Sequence, residues 1–248
     1  MRFIRSSILA TAAAAALMST AGQAQSRRGP HQWDAGPSRF TIVGDLLVDQ
    51  PKGEFKTQIN TQGFGGNVGG LFRIDREGVF SIRADIGGMQ YGSETLHAPY
   101  LPITGRVSLD VETTNSLFWG SIGPQITAPV GRFQPYINAA IGVMDFTTQT
   151  SVRGSDSRYE YASTTNKDDA TSAYIFGGGV YVPLGSQNEW KLHLGARYFY
   201  GGEASYLKEG GIRDNPDGTI TLFPRTSKTD QVTWQMGVSY TFPLSRRR

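Results

Sequence analysis

Seven charged residues fall at positions where a β-strand would turn them all to one side. They are Asp45, Asp49, Arg73, Arg83, Asp85, Lys191 and Arg197. Ionised groups gathered on one face of a sheet need partners, because an unpaired buried charge costs several kcal/mol. We therefore predict a buried ion-pair network of Asp45, Arg83, Asp85 and Arg197. Three polar amides and one lysine are expected nearby: Asn67, Gln125, Asn138 and Lys191.

The residues that most often carry catalysis are scarce. The chain has no cysteine, which excludes a thiol nucleophile and a Cys-ligated zinc, and it has three histidines, His31, His97 and His193. None of these histidines has the serine and acid spacing of a recognisable triad. The adjacent carboxylates of Asp168 and Asp169 are typical of a solvated loop rather than of a calcium site. We predict no enzymatic activity, no cofactor and no metal.

The elements that position the charged residues are strands. In 231–242 every even position is apolar or aromatic and every odd position is polar or glycine, which is the period-2 pattern of a strand with one apolar face. The segment 190–200 repeats the pattern. Six further segments follow it less cleanly, and they are 38–49, 62–74, 79–91, 117–127, 133–147 and 170–183.

The medium around these strands is predicted from charge. None of the eight apolar faces carries a charged residue, and a cation facing lipid at mid-bilayer would cost roughly 2–4 kcal/mol. The mean hydropathy of −0.32 excludes a helical membrane protein but allows strands that are apolar on one side only. We find no helix of period 3.6 that could cover the apolar face of an open sheet. A soluble β-sandwich or lipocalin-like barrel is the alternative.

The connections between the strands alternate in length. The segments 50–61, 92–116, 148–169 and 204–230 are long, whereas 75–78, 128–132 and 184–189 are short. Outer-membrane barrels have short periplasmic turns and long outer loops, so both ends of the barrel chain are expected in the periplasm. A turn sequence at 214–218 between β-prone flanks predicts that strands seven and eight project beyond the membrane. The alternating VSLDVETT at 107–114 predicts that strand four also extends outward. Aromatic residues near strand ends are expected to form girdles, namely Trp119, Trp190, Tyr198, Tyr200, Trp234 and Tyr240.

The two ends of the chain lie outside the strand pattern. Residues 1–24 combine two early arginines, a short apolar run and small residues before position 25, which indicates a secretory signal peptide. We predict a flexible periplasmic tail at 25–37, a barrel at 38–242 and a basic tail at 243–248. The net charge of +3 is too small and too dispersed to indicate nucleic acid as a partner.

Four segments give the sequence a family resemblance. They are GSIGPQITAPVGRFQPYINAAIGV at 120–143, YIFGGGVYVPLG at 174–185, HLGARYFYGG at 193–202 and GVSYTF at 237–242. With them the chain resembles the small bacterial outer-membrane β-barrels of the porin family, of the OmpA- and OmpX-like type. The resemblance implies an all-β, eight-stranded antiparallel up-and-down transmembrane barrel in the outer membrane of a Gram-negative bacterium. It also implies that Tyr240 and Phe242 act as the signal for the barrel-assembly machinery, although PLSRRR follows them here.

The fold class leaves two functions open. Eight strands enclose an interior just wide enough for side chains to fill, so we expect a plugged lumen, an ion-pair network that is structural, and outer loops that contact a surface protein or host ligand. The alternative is a narrow channel or transporter for ions or small hydrophobic molecules. A third, less favoured interpretation is an enzyme that modifies lipid A. The expected surroundings are outer-membrane lipid and lipopolysaccharide, and a monomer is expected.

Overall fold

The computed structural model describes residues 39–99, 108–128, 131–154, 160–185, 189–215 and 219–243. The predicted signal peptide, the N-terminal tail and the C-terminal arginines lie outside these residues. Eight strands close into one barrel, in which each strand pairs antiparallel with its neighbours and the first strand pairs with the last. They are β1 (Phe40–Pro51), β2 (Gly63–Arg73), β3 (Phe80–Pro99), β4 (Ser108–Thr127), β5 (Gln134–Gly154), β6 (Glu160–Leu184), β7 (Trp190–Gly201) and β12 (Gln231–Thr241). The predicted eight-stranded up-and-down barrel is confirmed.

Four short strands and one helix occupy the long connections. Between β7 and β12 lie β8 (Glu203–Tyr206), β9 (Ile212–Asp214), β10 (Ile220–Leu222) and β11 (Arg225–Lys228). β8 pairs with β11 and β9 with β10, each pair forming a separate two-stranded sheet. The last connection therefore returns antiparallel on itself as predicted, but the seventh and eighth barrel strands do not continue into it as one ladder. The helix α1 (Gly53–Gln58) follows β1. The sequence pattern does not predict this helix, because one helical turn and a half is too short to show a 3.6-residue period.

The middle strands are much longer than the sequence pattern predicts. Beyond the barrel, β3 to β6 continue as a four-stranded projecting sheet formed by 91–99, 108–116, 147–154 and 160–172. The connections expected at 92–116 and 148–169 are therefore mostly strand. This projecting sheet leaves the barrel at the end that carries the long connections, which we call the outer end.

The surface of the barrel reverses the usual distribution of residues. Large apolar side chains point outward on every barrel strand, with Leu46 71%, Ile86 70% and Ile141 62% exposed, while Arg83 and Arg197 are 2% and 1% exposed. Water around such an exterior would hydrate apolar side chains while ionised groups remain buried, which is unfavourable on both counts. Hydrocarbon around the barrel removes both costs. Among the described residues, no helix is long and apolar enough to cross a bilayer.

Candidate functional site: the barrel interior

The ionic network lies in the half of the lumen nearer the short turns. Arg83 Nε donates to both carboxylate oxygens of Asp85, at 3.1 and 2.9 Å, because the two residues are two apart on β3 and face the same way. Arg197 on β7 reaches the same carboxylate, with Nη2 to Oδ2 at 3.0 Å. Asp45 on β1 lies 3.9 Å from Arg83 Nη2. The four residues singled out in the sequence therefore meet in one cluster.

The predicted polar neighbours divide into two groups. Asn67 donates to Asp85 Oδ1 at 3.1 Å, and Gln125 accepts from Arg83 Nη1 at 3.2 Å. Asn138 is buried next to Gly177, but its Oδ1 has no partner among the described residues. Lys191 lies apart from the network, toward the short turns, where its Nζ donates to Gln134 Oε1 at 2.8 Å.

Three members of the cluster are missing from the sequence prediction. His193 is fully buried and shares hydrogen bonds with Asp45 through Nδ1 and with the Tyr136 hydroxyl through Nε2, the second at 2.6 Å. Tyr181 stacks on the imidazole, with ring centroids 4.8 Å apart, and its hydroxyl accepts from Arg83 Nη1 at 3.1 Å. The alternation on β7 already places His193 on the face of Lys191 and Arg197, so a signal for it was present.

Glycines make room for these large side chains. A Cβ on Gly177 would lie 2.6 Å from Arg197 Cγ and 2.7 Å from the Ala196 carbonyl oxygen. Gly44, on the outward face of β1, has nothing within 4 Å of such a Cβ. The glycine-rich segment of β6 is thus required by the narrow interior and not by chain flexibility.

We expect Gly177→Ala to destabilise the barrel by about 1–3 kcal/mol, because Arg197 or the neighbouring strand must move to admit the methyl group. Gly44→Ala is the matched control and should be neutral or slightly stabilising. Urea unfolding of both variants from phospholipid vesicles measures the difference. Equal stabilities of the two variants would contradict the packing described for Gly177.

The outer half of the lumen is mostly apolar, except along β12 and at Asp49. Side chains from six strands fill it, and all are at most 4% exposed: Leu47, Met89, Leu117, Trp119, Met144, Ile175 and Phe199. Trp119 belongs to this layer, where its ring meets Phe199 edge to face at 5.8 Å. The prediction that Trp119 joins an aromatic girdle is therefore wrong, whereas Trp190 and Trp234 do face outward, at 51% and 53% exposed.

An aromatic cap closes the outer mouth, and it consists of Phe55, Tyr91, Phe146 and Tyr206. Phe55 of α1 lies at 5.8 Å from Phe146 and 5.2 Å from Tyr206, ring to ring. Burial raises the pKa of Tyr206, whose hydroxyl bonds Ser227 at 2.7 Å. Backbone bonds hold α1 over the mouth, since the Lys52 N–H donates to the Asp230 carbonyl at 2.8 Å.

The remaining candidate residues lie outside the lumen. Phe242 is 41% exposed and stacks on Phe40 at 5.7 Å, next to Tyr240 at 5.0 Å. His97 lies on β3 in register with Asp110, and its side chain is outside the described part of the chain. His31 lies outside it entirely. No group of three or more histidine, cysteine or acidic side chains suited to a metal occurs among the residues described.

Several solved structures are similar to this chain. Neisserial surface protein A aligns over 84% of this chain and 99% of its own, at 15% identity and a TM-score of 0.47. Ail, the attachment invasion locus protein of Yersinia pestis, aligns over 84% and 99% at 10% identity and 0.41. The outer membrane protein OprG from Pseudomonas aeruginosa aligns over 84% and 98% at 13% identity and 0.40. No family model matches the sequence, and no curated protein matches it either.

Proposed function

We propose that this chain is a non-catalytic integral protein of the Gram-negative outer membrane, with a lumen closed by its own side chains and a projecting sheet that makes contacts at the cell surface. One observation carries the membrane assignment: the barrel exposes large apolar residues all round, while its arginines and aspartates are buried inside. This is the inverse of a water-soluble barrel. A signal peptide at 1–24 and periplasmic tails at 25–37 and 243–248 complete the proposed layout.

Lipid and lipopolysaccharide would surround the apolar exterior. The barrel-assembly machinery would recognise the last strand through Tyr240 and Phe242, whose aromatic rings lie at its end near the short turns. This end is the periplasmic one in the proposed orientation, because short turns face the periplasm in such barrels. The projecting sheet then extends from the opposite face of the membrane into the medium.

The lumen is closed by two unlike layers in series. The aromatic cap and the apolar layer fill the outer half, and the ionic network crosses the other half between β1, β3 and β7. A permeating ion would have to leave water for the first layer and break ion pairs in the second, and both steps are costly. The network is therefore proposed to be structural, and the label of porin would not describe the activity.

Planar-bilayer recordings test the closed lumen. We expect no stable, large unitary conductance from the wild-type protein. Phe55→Ala should also be silent, because the ionic network remains after the cap is opened. Open-channel steps from the folded wild-type protein would contradict the plug.

The projecting sheet supports the proposed surface contacts. Its two edge strands, β3 and β6, extend past their barrel neighbours, since β2 pairs only as far as Gln90 and β7 only from Ala173. The β3 edge is covered by a turn, with Gly210 N donating to Glu94 Oε2 at 2.9 Å. Beyond Asp169, which accepts from Ser205 N at 2.7 Å, the β6 edge has no strand partner other than β5 in the described part of the chain. Such an edge can accept a strand from another protein.

Removal of the sheet tests this role without disturbing the barrel. Residues 93–114 and 149–166 would each be replaced by an Asn-Gly turn, which joins the register partners Gly92 and Asn115 in the first case and Thr148 and Lys167 in the second. We expect the variant to fold like the wild type, so that unboiled samples of both migrate differently from boiled ones in gels, but to lose adhesion of expressing cells to host cells or matrix proteins. Undiminished adhesion by a folded variant would refute a contact role for the sheet.

The apolar outer half of the lumen favours one second candidate, a carrier of small hydrophobic molecules. Leu117, Met144 and Ile175 would suit such a solute, which would have to leave sideways through the wall because ion pairs block the way straight through. Uptake of a radiolabelled alkane by cells with and without the protein distinguishes the two functions. Equal uptake supports the non-transporting barrel.

A further inference from the structure

The inward face of β12 carries polar side chains along its length, interrupted only by Gly237. It carries Gln231, Thr233, Gln235, Ser239 and Thr241, with no apolar side chain among them, and these are 0%, 0%, 3%, 1% and 8% exposed. Both polar atoms of the Gln231 amide and both of the Gln235 amide lack a hydrogen-bond partner among the residues described. Buried amides are almost always paired. These two flank Thr233 in the apolar outer half of the lumen, where an unmet bond is most costly.

A buried carboxylate lies between the two amides. Asp49 is 1% exposed and stands opposite Thr233 in the register of β1 and β12, so that both glutamines are its diagonal neighbours. Its Oδ1 accepts a hydrogen bond from Thr233 Oγ1 at 2.9 Å. The pairing therefore gathers carboxylate, hydroxyl and amide oxygens on one patch of the inner wall.

No cation of the described chain pairs with this carboxylate. The ion pairs of the lumen join Arg83 and Arg197 to Asp85, and Arg83 to Asp45. Lys52, just after β1, interacts with Asp49 electrostatically but makes no salt bridge with it, and its Nζ donates to Gln50 Oε1 at 3.3 Å. Arg197 stands in register with Thr233, but its guanidinium is directed to Asp85. Lys191 lies six residues farther along the strand direction, or roughly 20 Å away at 3.3 Å per residue. Two arginines thus balance two aspartates in the ionic network, and Asp49 remains outside that balance.

We propose that Asp49, Thr233, Gln231 and Gln235 bind a small monovalent metal cation of the Na⁺ or K⁺ class inside the outer half of the barrel. Oxygen atoms of carboxylates and side-chain amides are the ligands of hard cations. A single carboxylate with otherwise neutral oxygens balances one positive charge. Calcium sites ordinarily use more carboxylates than this, and magnesium usually keeps several of its waters, for which a packed lumen has little room. A bound cation would neutralise the buried carboxylate and give the amide oxygens a partner. The proposal therefore predicts that the stability of the barrel depends on which salt is present.

Thermal unfolding of the full mature chain in a zwitterionic detergent tests the site. The apparent Tm is followed by circular dichroism in NaCl, in KCl and in N-methyl-D-glucamine chloride, all at constant ionic strength and slightly alkaline pH. We expect NaCl or KCl to raise the Tm saturably by a few degrees over the bulky organic cation, because a ligand that binds only the folded state stabilises it. Asp49→Asn should abolish this difference, and its Tm in the organic salt should equal or exceed that of the wild type.

Two further variants locate the effect. Gln235→Leu keeps the charge but removes a proposed ligand, so it should shift the cation dependence to higher concentration. Asp168→Asn removes an exposed carboxylate on the projecting sheet and should leave the dependence unchanged. The proposal is overturned if the wild-type Tm is the same in all three salts, as expected when a proton or water alone satisfies Asp49. It is equally overturned if Asp49→Asn retains the cation dependence.

Discussion

Arg83→Met should cost the barrel about 3–5 kcal/mol of unfolding free energy, the usual result of removing one partner of a buried ion pair. The guanidinium donates to Asp85, Gln125 and Tyr181 and is 2% exposed. Methionine fills a similar volume but leaves Asp85 with one cation in place of two. The Asp45 carboxylate loses its nearby arginine as well. Urea unfolding from phospholipid vesicles, followed by tryptophan fluorescence, gives the free energy.

Two controls separate the network from a general effect of losing an arginine. Arg132→Met makes the same change in an exposed turn, and it should alter stability by less than about 0.5 kcal/mol. The double variant Arg83→Met/Asp85→Asn should be less damaged than the sum of its single changes, because the second change removes the charge that the first leaves unpaired. If Arg83→Met unfolds within about 1 kcal/mol of the wild type, the network does not stabilise the barrel.

Strand alternation alone predicts which residues enter the lumen. Asp45, Arg83, Asp85 and Arg197 were assigned inward because side chains on a strand alternate between its two faces, and all four are buried in one cluster. The same rule applies to His193 and Tyr136. Their contact with each other depends on which residues of separate strands come to the same level, and strand register and shear set that level. Sequence pattern does not contain this information.

Where the strands end is the part that the sequence does not reveal. The apolar pattern stops at the edge of the hydrocarbon, but β3 to β6 continue into water as the projecting sheet. There, threonine and serine occupy both faces, for example in 147–151 and 163–165. Hydrogen bonds such as that between Thr113 and Thr150, at 2.9 Å, hold this part together. A sheet that is polar on both sides has a weak period-2 signal, so apart from the alternating 107–114 its strands were predicted as loops.

Lysine substitutions at two positions of β3 should show whether lipid or water surrounds each part of this strand. Ile86, at mid-barrel, is 70% exposed, and Leu96, on the projecting sheet, is 52% exposed. If hydrocarbon surrounds the barrel, Ile86→Lys places an ammonium in lipid at a cost of roughly 2–4 kcal/mol. Leu96→Lys places the same group in water, where surface changes alter stability by less than about 0.5 kcal/mol. Both substitutions replace an exposed aliphatic residue on the same strand by lysine. The effect of intrinsic strand propensity on stability is therefore nearly the same in the two variants.

The deciding measurement is the difference in unfolding free energy between these two variants, obtained by urea titration from phospholipid vesicles. A barrel with lipid on its uncharged exterior predicts that Ile86→Lys is less stable than Leu96→Lys by roughly 2–4 kcal/mol. Equal stability of the two variants would mean that water reaches Ile86 as freely as Leu96. That result would contradict the assignment of this exterior to the membrane.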